Sequence, residues 1–139
     1  MTTHKFFDKL PEEAREIRLE VFVREQGFEN EFDDIDERCL HLVLYENGFP
    51  AAAGRLYKAD GVYTLGRVAV RKSFRGKGLG SEVIKLLEEK AREEGAERTV
   101  LSAQCRVRKF YESIGYTASG EVYLDEFCEH IHMEKLLSE

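Results

Sequence analysis

The sequence contains few of the residues and segments that indicate several large protein classes. Its 139 residues include three cysteines, two prolines and no tryptophan. The cysteines are widely spaced and form no Cys-x-x-Cys pair, so we expect reduced thiols rather than a disulfide framework, and no metal site. No apolar run approaches the roughly 18 residues that span a bilayer, and no charged-then-apolar leader opens the chain. We therefore expect a cytoplasmic protein without a membrane partner.

Positive charge is in deficit as well. The chain has 21 Lys and Arg against 27 Asp and Glu, which gives a formal net charge of -6 at pH 7. Such a chain is poorly suited to a nucleic-acid backbone, so we expect no nucleic-acid partner. Its length and its hydrophobic content of 42% predict a single domain, residues 1–139, around one core.

One segment reverses the sign of this charge. No acidic residue lies between Asp60 and Glu82, whereas this interval contains a group of basic residues, Arg71, Lys72, Arg75 and Lys77. Alternate glycines follow, which permit positive φ and let a ligand lie against backbone N–H groups. Apolar residues at helical spacing begin at Leu79, so unpaired N–H groups and the positive end of a helix dipole face this turn. The pattern predicts a phosphate site, and the alternative is a solvated turn.

The letters of this turn resemble a known signature. Residues 75–80 read RGKGLG, which lacks the hydroxyl residue that a P-loop places after its Gly-Lys. They are similar to the Arg/Gln-x-x-Gly-x-Gly/Ala signature of the GNAT superfamily, acyltransferases that use acetyl-CoA. Residues 110–116, FYESIGY, follow at the separation usual in that family. Residues 18–26 resemble the segment that caps the acceptor side in its ElaA-like bacterial branch.

The order of predicted elements indicates an α/β fold. Helices are predicted to begin near residues 11, 78 and 107, the first running towards Gln26. Strands are predicted at residues 5–7, 41–45, 51–57, 62–70, 99–103, 118–123 and 129–135. We expect a mixed, mostly antiparallel sheet with helices on both faces, which is the element order of the GNAT acyltransferase fold.

The resemblance implies acetyl-CoA as the acyl donor and assigns residues to it. The main chain of residues 68–70 would hold the pantetheine arm and the thioester carbonyl. Gln104 occupies the position where many members carry an asparagine that faces this arm, and Arg106, Arg108 and Lys109 form a second basic cluster. The predicted cofactor-binding residues are Val68, Ala69, Val70, Arg75, Gly76, Lys77, Gly78, Leu79, Gly80, Ser81, Gln104, Val107, Phe110 and Tyr111.

Tyr111 is the predicted general acid. A phenol, with a pKa of about 10, is suited to protonate a departing thiolate. The alternative is that Phe110 and Tyr111 are an aromatic pair of the core. The resemblance favours chemistry, because GNAT enzymes usually hold their acid in a Tyr-x-x-x-Gly-aromatic sequence. The general base stays open among Asp36, His41, His130 and a water chain linked to them, since histidines are often structural.

These residues predict an acetyl-CoA-dependent N-acetyltransferase in which an amine of a small molecule or peptide attacks directly. The acidic loop at residues 29–37 is either a solvated loop or an attractor of the cationic acceptor. Two alternatives remain open: the same fold with another acyl group or with a hydroxyl or thiol acceptor, and a non-catalytic sensor of acyl-CoA. By resemblance alone, a homodimer through the last strands is also an expectation.

Overall fold

Seven strands form one sheet in the order β1-β2-β3-β4-β5-β7-β6 in the computed structural model, which describes residues 1–137. The strands are β1 (Thr2–Phe7), β2 (Leu40–Glu46), β3 (Phe49–Ala59), β4 (Val62–Val70), β5 (Arg98–Gln104), β6 (Thr117–Asp125) and β7 (Cys128–Leu136). The helices are α1 (Glu12–Arg18), α2 (Leu79–Glu93) and α3 (Arg108–Ser113). Every pairing is antiparallel except that of β4 with β5. The predicted mixed sheet is confirmed.

The two parallel strands separate part-way along their length. β4 and β5 pair at only three positions, the last of which joins Leu65 to Leu101. The register of β4 against β3 then shifts, and Arg67 adopts a φ of 50°. A bulge of this kind bends its strand, so β4 turns away with β3 while β5 continues beside β7. The divergence opens a cleft in the middle of the sheet.

Helix α2 makes the crossover that a parallel pair requires. Its buried face consists of residues at three- and four-residue steps, namely Leu79, Val83, Ile84, Leu87, Glu88 and Ala91. Each leucine buried there stabilises the fold by about 1.5–3 kcal/mol. Gly54 of β3 permits the close approach of this helix, because a Cβ at that position would lie 2.7 Å from Val83 Cγ1. α2 therefore packs tightly on one face of the sheet.

Helix α1 covers the opposite face. Its buried Ala14 and Ile17 pack with Ala53 of β3 and Ala69 of β4. The first helix was predicted to run without change towards Gln26, but the chain becomes π-helical over Leu19–Glu25. There Gln26 N donates to Val21 O at 3.1 Å, a five-residue step. The helices thus lie on both faces of the sheet. No helix within residues 1–137 has the length and apolar character needed to cross a membrane.

Candidate active site

The cleft between β4 and β5 is lined by the diverging strands and by the segments around them. β4 contributes residues 65–68, and β5 contributes Leu101, Ser102 and Gln104. The remaining lining residues come from the π-helical segment and the loop after it, from α3 and the turn before it, and from β6, β7 and the turn between them: Phe22, Phe28, Asn30, Glu31, Val107, Tyr111, Asp125, Glu126 and His130. Two of the predicted catalytic residues, Tyr111 and His130, therefore share one cleft.

The start of α2 has the geometry of an anion site. Gly76 and Gly78 adopt φ values of 83° and 77°, which are strained for residues with a side chain. No side chain of the described chain caps this helix at Gly78. A Cβ on either glycine would meet nothing within 4 Å among residues 1–137, so the turn is open on its outer side. Free N–H groups at an open helix start fit the diphosphate of coenzyme A.

Arg75 of this turn is already engaged by a carboxylate. Its two terminal nitrogens each donate to Glu25 at 2.7 Å, and its Nε donates to Val70 O at 2.9 Å. The hydrogen bonds from Arg75, with the further positive charge of Lys72 and Arg106, lower the pKa of Glu25. Glu25 thus occupies the centre of the basic cluster that was predicted to bind phosphate.

The next residue ties the same segment to the other side of the cleft. Gln26 Oε1 accepts a hydrogen bond of 2.8 Å from Gln104 Nε2 at the end of β5. Gln104 Oε1 in turn accepts one of 2.8 Å from Arg106. We call residues 19–28 the cap segment, because its end is bonded to the α2 turn on one side and to β5 on the other.

Tyr111 holds its proton firmly. Its ring packs edge-to-face with Phe110 at 5.0 Å and with Tyr116 at 5.9 Å between ring centroids. Burial raises the pKa of Tyr111 to about 12. The phenol is therefore neutral throughout the physiological range and retains a proton that it can donate. Its aromatic neighbours hold the ring in place. Tyr111 is thus packed like a core residue and still carries a proton that it could donate.

His130 lines the same cleft. The ring is 6% exposed, and its Nδ1 lies 3.0 Å from Cys128 O. A carbonyl oxygen only accepts, so Nδ1 donates a hydrogen to it, and Nε2 has no hydrogen-bond partner within residues 1–137. The ring also stacks on Tyr123 at 6.1 Å and meets the edge of Phe28 at 6.4 Å. These contacts hold its orientation.

The other two predicted base candidates lie outside the cleft lining. Asp36 accepts hydrogen bonds of 2.8 and 2.9 Å from Arg18 and one of 2.9 Å from Arg55. Burial would raise the pKa of Asp36, but these two arginines outweigh it and hold the pKa at about 2. His41 on β2 is 1% exposed, and burial lowers its pKa. Its Nε2 lies 3.0 Å from Asp36 O, which indicates a structural contact.

Asp36, Cys39 and His41 offer ligand atoms that all lie within 4.8 Å of one another. Two features argue against a cation there. The oxygens of Asp36 are already bonded to two guanidinium groups, and burial raises the pKa of Cys39 to about 11, which keeps the thiol protonated. This trio is better described as the buried end of an ion-pair network.

The sequence-based predictions singled out neither Glu31 nor Glu126, which both line the cleft. Glu31 is 5% exposed, and its Oε2 lies 2.9 Å from Arg18 Nε and 3.0 Å from Arg67 Nε. Glu126, in the β6–β7 turn, accepts hydrogen bonds of 2.9 Å from the backbone N–H groups of Glu29 and Asn30. Neither contact leaves a signal in sequence spacing, since the partners of Glu126 are almost a hundred positions away.

Comparison with known proteins decides the family. The family model described as an acetyltransferase (GNAT) domain matches residues 8–137. The chain belongs to the GNAT acetyltransferase family. It is 38% identical over 122 residues to the uncharacterized N-acetyltransferase YjcF of Bacillus subtilis, covering 86% of this chain and 87% of that one. The sequence resemblance and the assignment as an acetyltransferase enzyme are thereby confirmed.

Solved structures agree with this GNAT assignment. Escherichia coli ElaA superposes with a TM-score of 0.84 at 26% identity, over 97% of this chain and 99% of that chain. An acyl-CoA N-acyltransferase from Pseudomonas aeruginosa superposes with a TM-score of 0.83 at 28% identity, over 97% and 98% of the two chains. GNAT enzymes take their acyl group from an acyl-CoA, and acetyl-CoA is the donor typical of the family.

The GNAT fold gives most of the predicted cofactor residues a common location. Val68, Gln104, Val107 and Tyr111 line the cleft, while residues 75–81 form the α2 turn beside it. A Cβ on Gly80 would lie 3.5 Å from Phe110 of α3 and 3.8 Å from Val70 of β4. These three predicted residues are therefore close together in space. Ala69 and Val70 are not among the residues that line the cleft, and Ala69, which is 3% exposed, packs with Ala14 and Ile17 of α1.

Proposed function

We propose that this GNAT enzyme transfers an acetyl group from acetyl-CoA to a primary amine by direct attack within the cleft between β4 and β5. One observation carries the proposal: a protonated phenol, Tyr111, and an imidazole with a free Nε2, His130, line the same cleft. An acid and a base at one site are what aminolysis of a thioester requires.

Each residue has a defined task. The free N–H groups at the start of α2 hold the diphosphate, and Gln104 faces the pantetheine arm. His130 Nε2 takes a proton from the acceptor ammonium, which frees the nitrogen lone pair for attack on the thioester carbon. Main-chain N–H groups of the β4 bulge stabilise the oxyanion, and this is the type of donor that such intermediates need. Tyr111 then gives its proton to the sulfur as the C–S bond breaks, and the excess proton on the attacking nitrogen passes to the Tyr111 phenolate, which leaves a neutral amide and a neutral phenol.

The raised pKa of Tyr111 is compatible with this last step. A free thiol has a pKa of about 8.5, and a phenol of pKa about 12 would protonate its thiolate poorly in water. Burial, however, disfavours a charged thiolate for the same reason that it disfavours a phenolate. In the shared cleft both pKa values rise together, so the proton transfer stays close to balanced.

Release of free thiol from acetyl-CoA, measured over a panel of amines, tests the proposal. Replacing Tyr111 with Phe is expected to lower kcat by about 10²–10⁴-fold while the Kd for CoA stays unchanged. Tyr116→Phe is the matched control, because that hydroxyl bonds Thr99 and Glu88 rather than lining the cleft. It should lower stability and leave kcat unchanged.

Two results would contradict the assignment. If Tyr111→Phe turned over at the wild-type rate, the phenol would not be the acid. If CoA bound but no acceptor in the panel released it, the alternative of an acyl-CoA sensor would be favoured. The base is tested by His130→Asn, which should lower kcat/KM for the amine while the Kd for CoA stays unchanged.

A further inference from the structure

The end of the cleft away from the α2 turn has a distinct chemical character. Phe22 and Phe28 provide aromatic walls there, and Phe28 is further held by a stacked contact of 5.0 Å with Phe127. Asn30, Glu31, Asp125 and Glu126 provide the polar part of the lining. An apolar wall beside carboxylates suits a ligand with a cationic head and an apolar body.

Glu31 is the carboxylate in this group whose position is most constrained. Its side chain is 5% exposed, yet it contributes to the cleft lining. Oε2 is held by Arg18 Nε at 2.9 Å and lies 3.0 Å from Arg67 Nε. Within residues 1–137, Oε1 has no hydrogen-bond partner, and it is not among the fully buried unpaired atoms. What remains accessible of Glu31 is therefore an acceptor oxygen at the cleft.

The surrounding charges leave this end of the cleft negative. Three arginines, Arg18, Arg55 and Arg67, face three carboxylates in one ion-pair network: Glu31, Asp33 and Asp36. The network is neutral as a whole, so Arg67 adds no net positive charge to the lining. Asp125 and Glu126 then contribute negative charge at the same end. This field favours cations and disfavours acceptors that carry a carboxylate or phosphate.

We propose that Glu31 receives the ammonium group of the acceptor, and that the acceptor is a primary alkylammonium ion with a compact apolar body packed against Phe22 and Phe28. This inference rests on the proposed acetyl transfer and specifies its substrate class. Glu31 binds the ammonium and His130 removes its proton, so the amine becomes neutral and the imidazole becomes imidazolium. Attack on the thioester then follows as already described.

Two amines of similar size and different charge distinguish this class from others. Benzylamine is protonated at neutral pH, whereas aniline is not, and both carry one aromatic ring. Wild type is expected to acetylate benzylamine with the higher kcat/KM at neutral pH, despite the smaller fraction of free amine. Preference for aniline, with thiol release intact, would overturn the substrate class and leave acetyl transfer standing. Thiol release with no amine at all would overturn the proposed function itself.

The variant Glu31→Gln tests the residue. It should raise the KM for benzylamine by about tenfold or more, the effect of losing one charge-assisted hydrogen bond, while kcat/KM for aniline and the Kd for CoA change by less than about threefold. Asp33→Asn is the matched control, because it removes one charge from the same network but does not line the cleft. It should raise the KM for benzylamine by much less than Glu31→Gln does, because it alters the field at the cleft but removes no contact with the ammonium.

A binding measurement separates recognition from folding and from chemistry. Benzylammonium is titrated into each variant without acetyl-CoA, after thermal unfolding has established that both variants are folded. Weaker binding to Glu31→Gln than to Asp33→Asn supports the inference. Equal binding to both, or equal loss of both amines in Glu31→Gln, overturns it. Should Glu31→Gln fail to fold, Glu31→Asp keeps the charge but shortens the reach, and it must also weaken benzylammonium binding.

Discussion

Replacing Glu25 with Gln is expected to tighten the binding of coenzyme A. In the free protein the carboxylate of Glu25 accepts hydrogen bonds of 2.7 Å from both terminal nitrogens of Arg75, and these bonds lower the pKa of Glu25. A diphosphate arriving at this cluster must displace that carboxylate. The two side chains are 37% and 39% exposed, so the ion pair is worth about 0.2–1 kcal/mol. Its removal should lower the Kd for CoA by about 1.5- to 5-fold.

Isothermal titration calorimetry with CoA and with pantetheine measures this effect. Glu20→Gln is the control, since Glu20 lies in the same segment and pairs with Arg71 at 3.3 Å rather than with Arg75. Only Glu25→Gln should bind CoA more tightly, and the gain should shrink as salt rises. Pantetheine has no phosphate, so its affinity should not change. Weaker CoA binding by Glu25→Gln, or an equal gain for pantetheine, would refute the reasoning.

Two stability predictions concern the packing behind the cleft. The pKa of Asp36 is about 2 in the folded protein, whereas its ordinary value is 3.8. Ionisation of Asp36 therefore adds about 2 kcal/mol to the free energy of unfolding. This stabilisation is complete above about pH 4 and is lost as the pH falls towards 2. In urea unfolding, Asp36→Asn should be less stable than wild type by about 3–5 kcal/mol at pH 7, because it breaks a buried ion pair. The difference from wild type should narrow from pH 4 to pH 2. Asp34 is exposed, so the control variant Asp34→Asn should be as stable as wild type. Gly54→Ala should cost about 1–3 kcal/mol, because its Cβ would lie 2.7 Å from Val83, and should lower Tm by about 3–9 °C. In the control variant Gly66→Ala, the atom nearest to the new Cβ is Arg55 Nε at 3.6 Å, so Tm should hardly change. Equal shifts of Tm in both glycine variants would contradict the packing argument.

Local sequence patterns were sufficient to predict the strand and the helix that border the proposed CoA site. The strand predicted at residues 62–70 has the observed bounds of β4, and α2 begins at Leu79, directly after the glycine turn. These boundaries follow from apolar spacing and from positive φ, which neighbouring residues determine. The change of the first helix to a π-helix at Leu19 was not predictable in this way. It accompanies packing of Val21 and Phe22 against strands that are distant in sequence.

The acceptor side was predicted less well, because its contacts join distant residues. Asp36 and His41 were candidates for the base, but Arg18 and Arg55, 18 and 19 positions from Asp36, bind its carboxylate away from the cleft. Nothing in the letters of the acidic loop distinguishes Glu31 from its acidic neighbours. Only the fold, which buries Glu31 between two arginines at the cleft, separates it from them.

Coenzyme A is expected to lie between β4 and β5 with its diphosphate at the start of α2. This placement is tested by titrating isotopically labelled protein with CoA and following the backbone amide chemical shifts. We expect saturable changes that are largest for the amides of residues 76–81 and 68–70, with smaller changes at residues 90–93, the opposite end of α2. Saturable changes centred elsewhere, or no change at these amides at millimolar CoA, would contradict it.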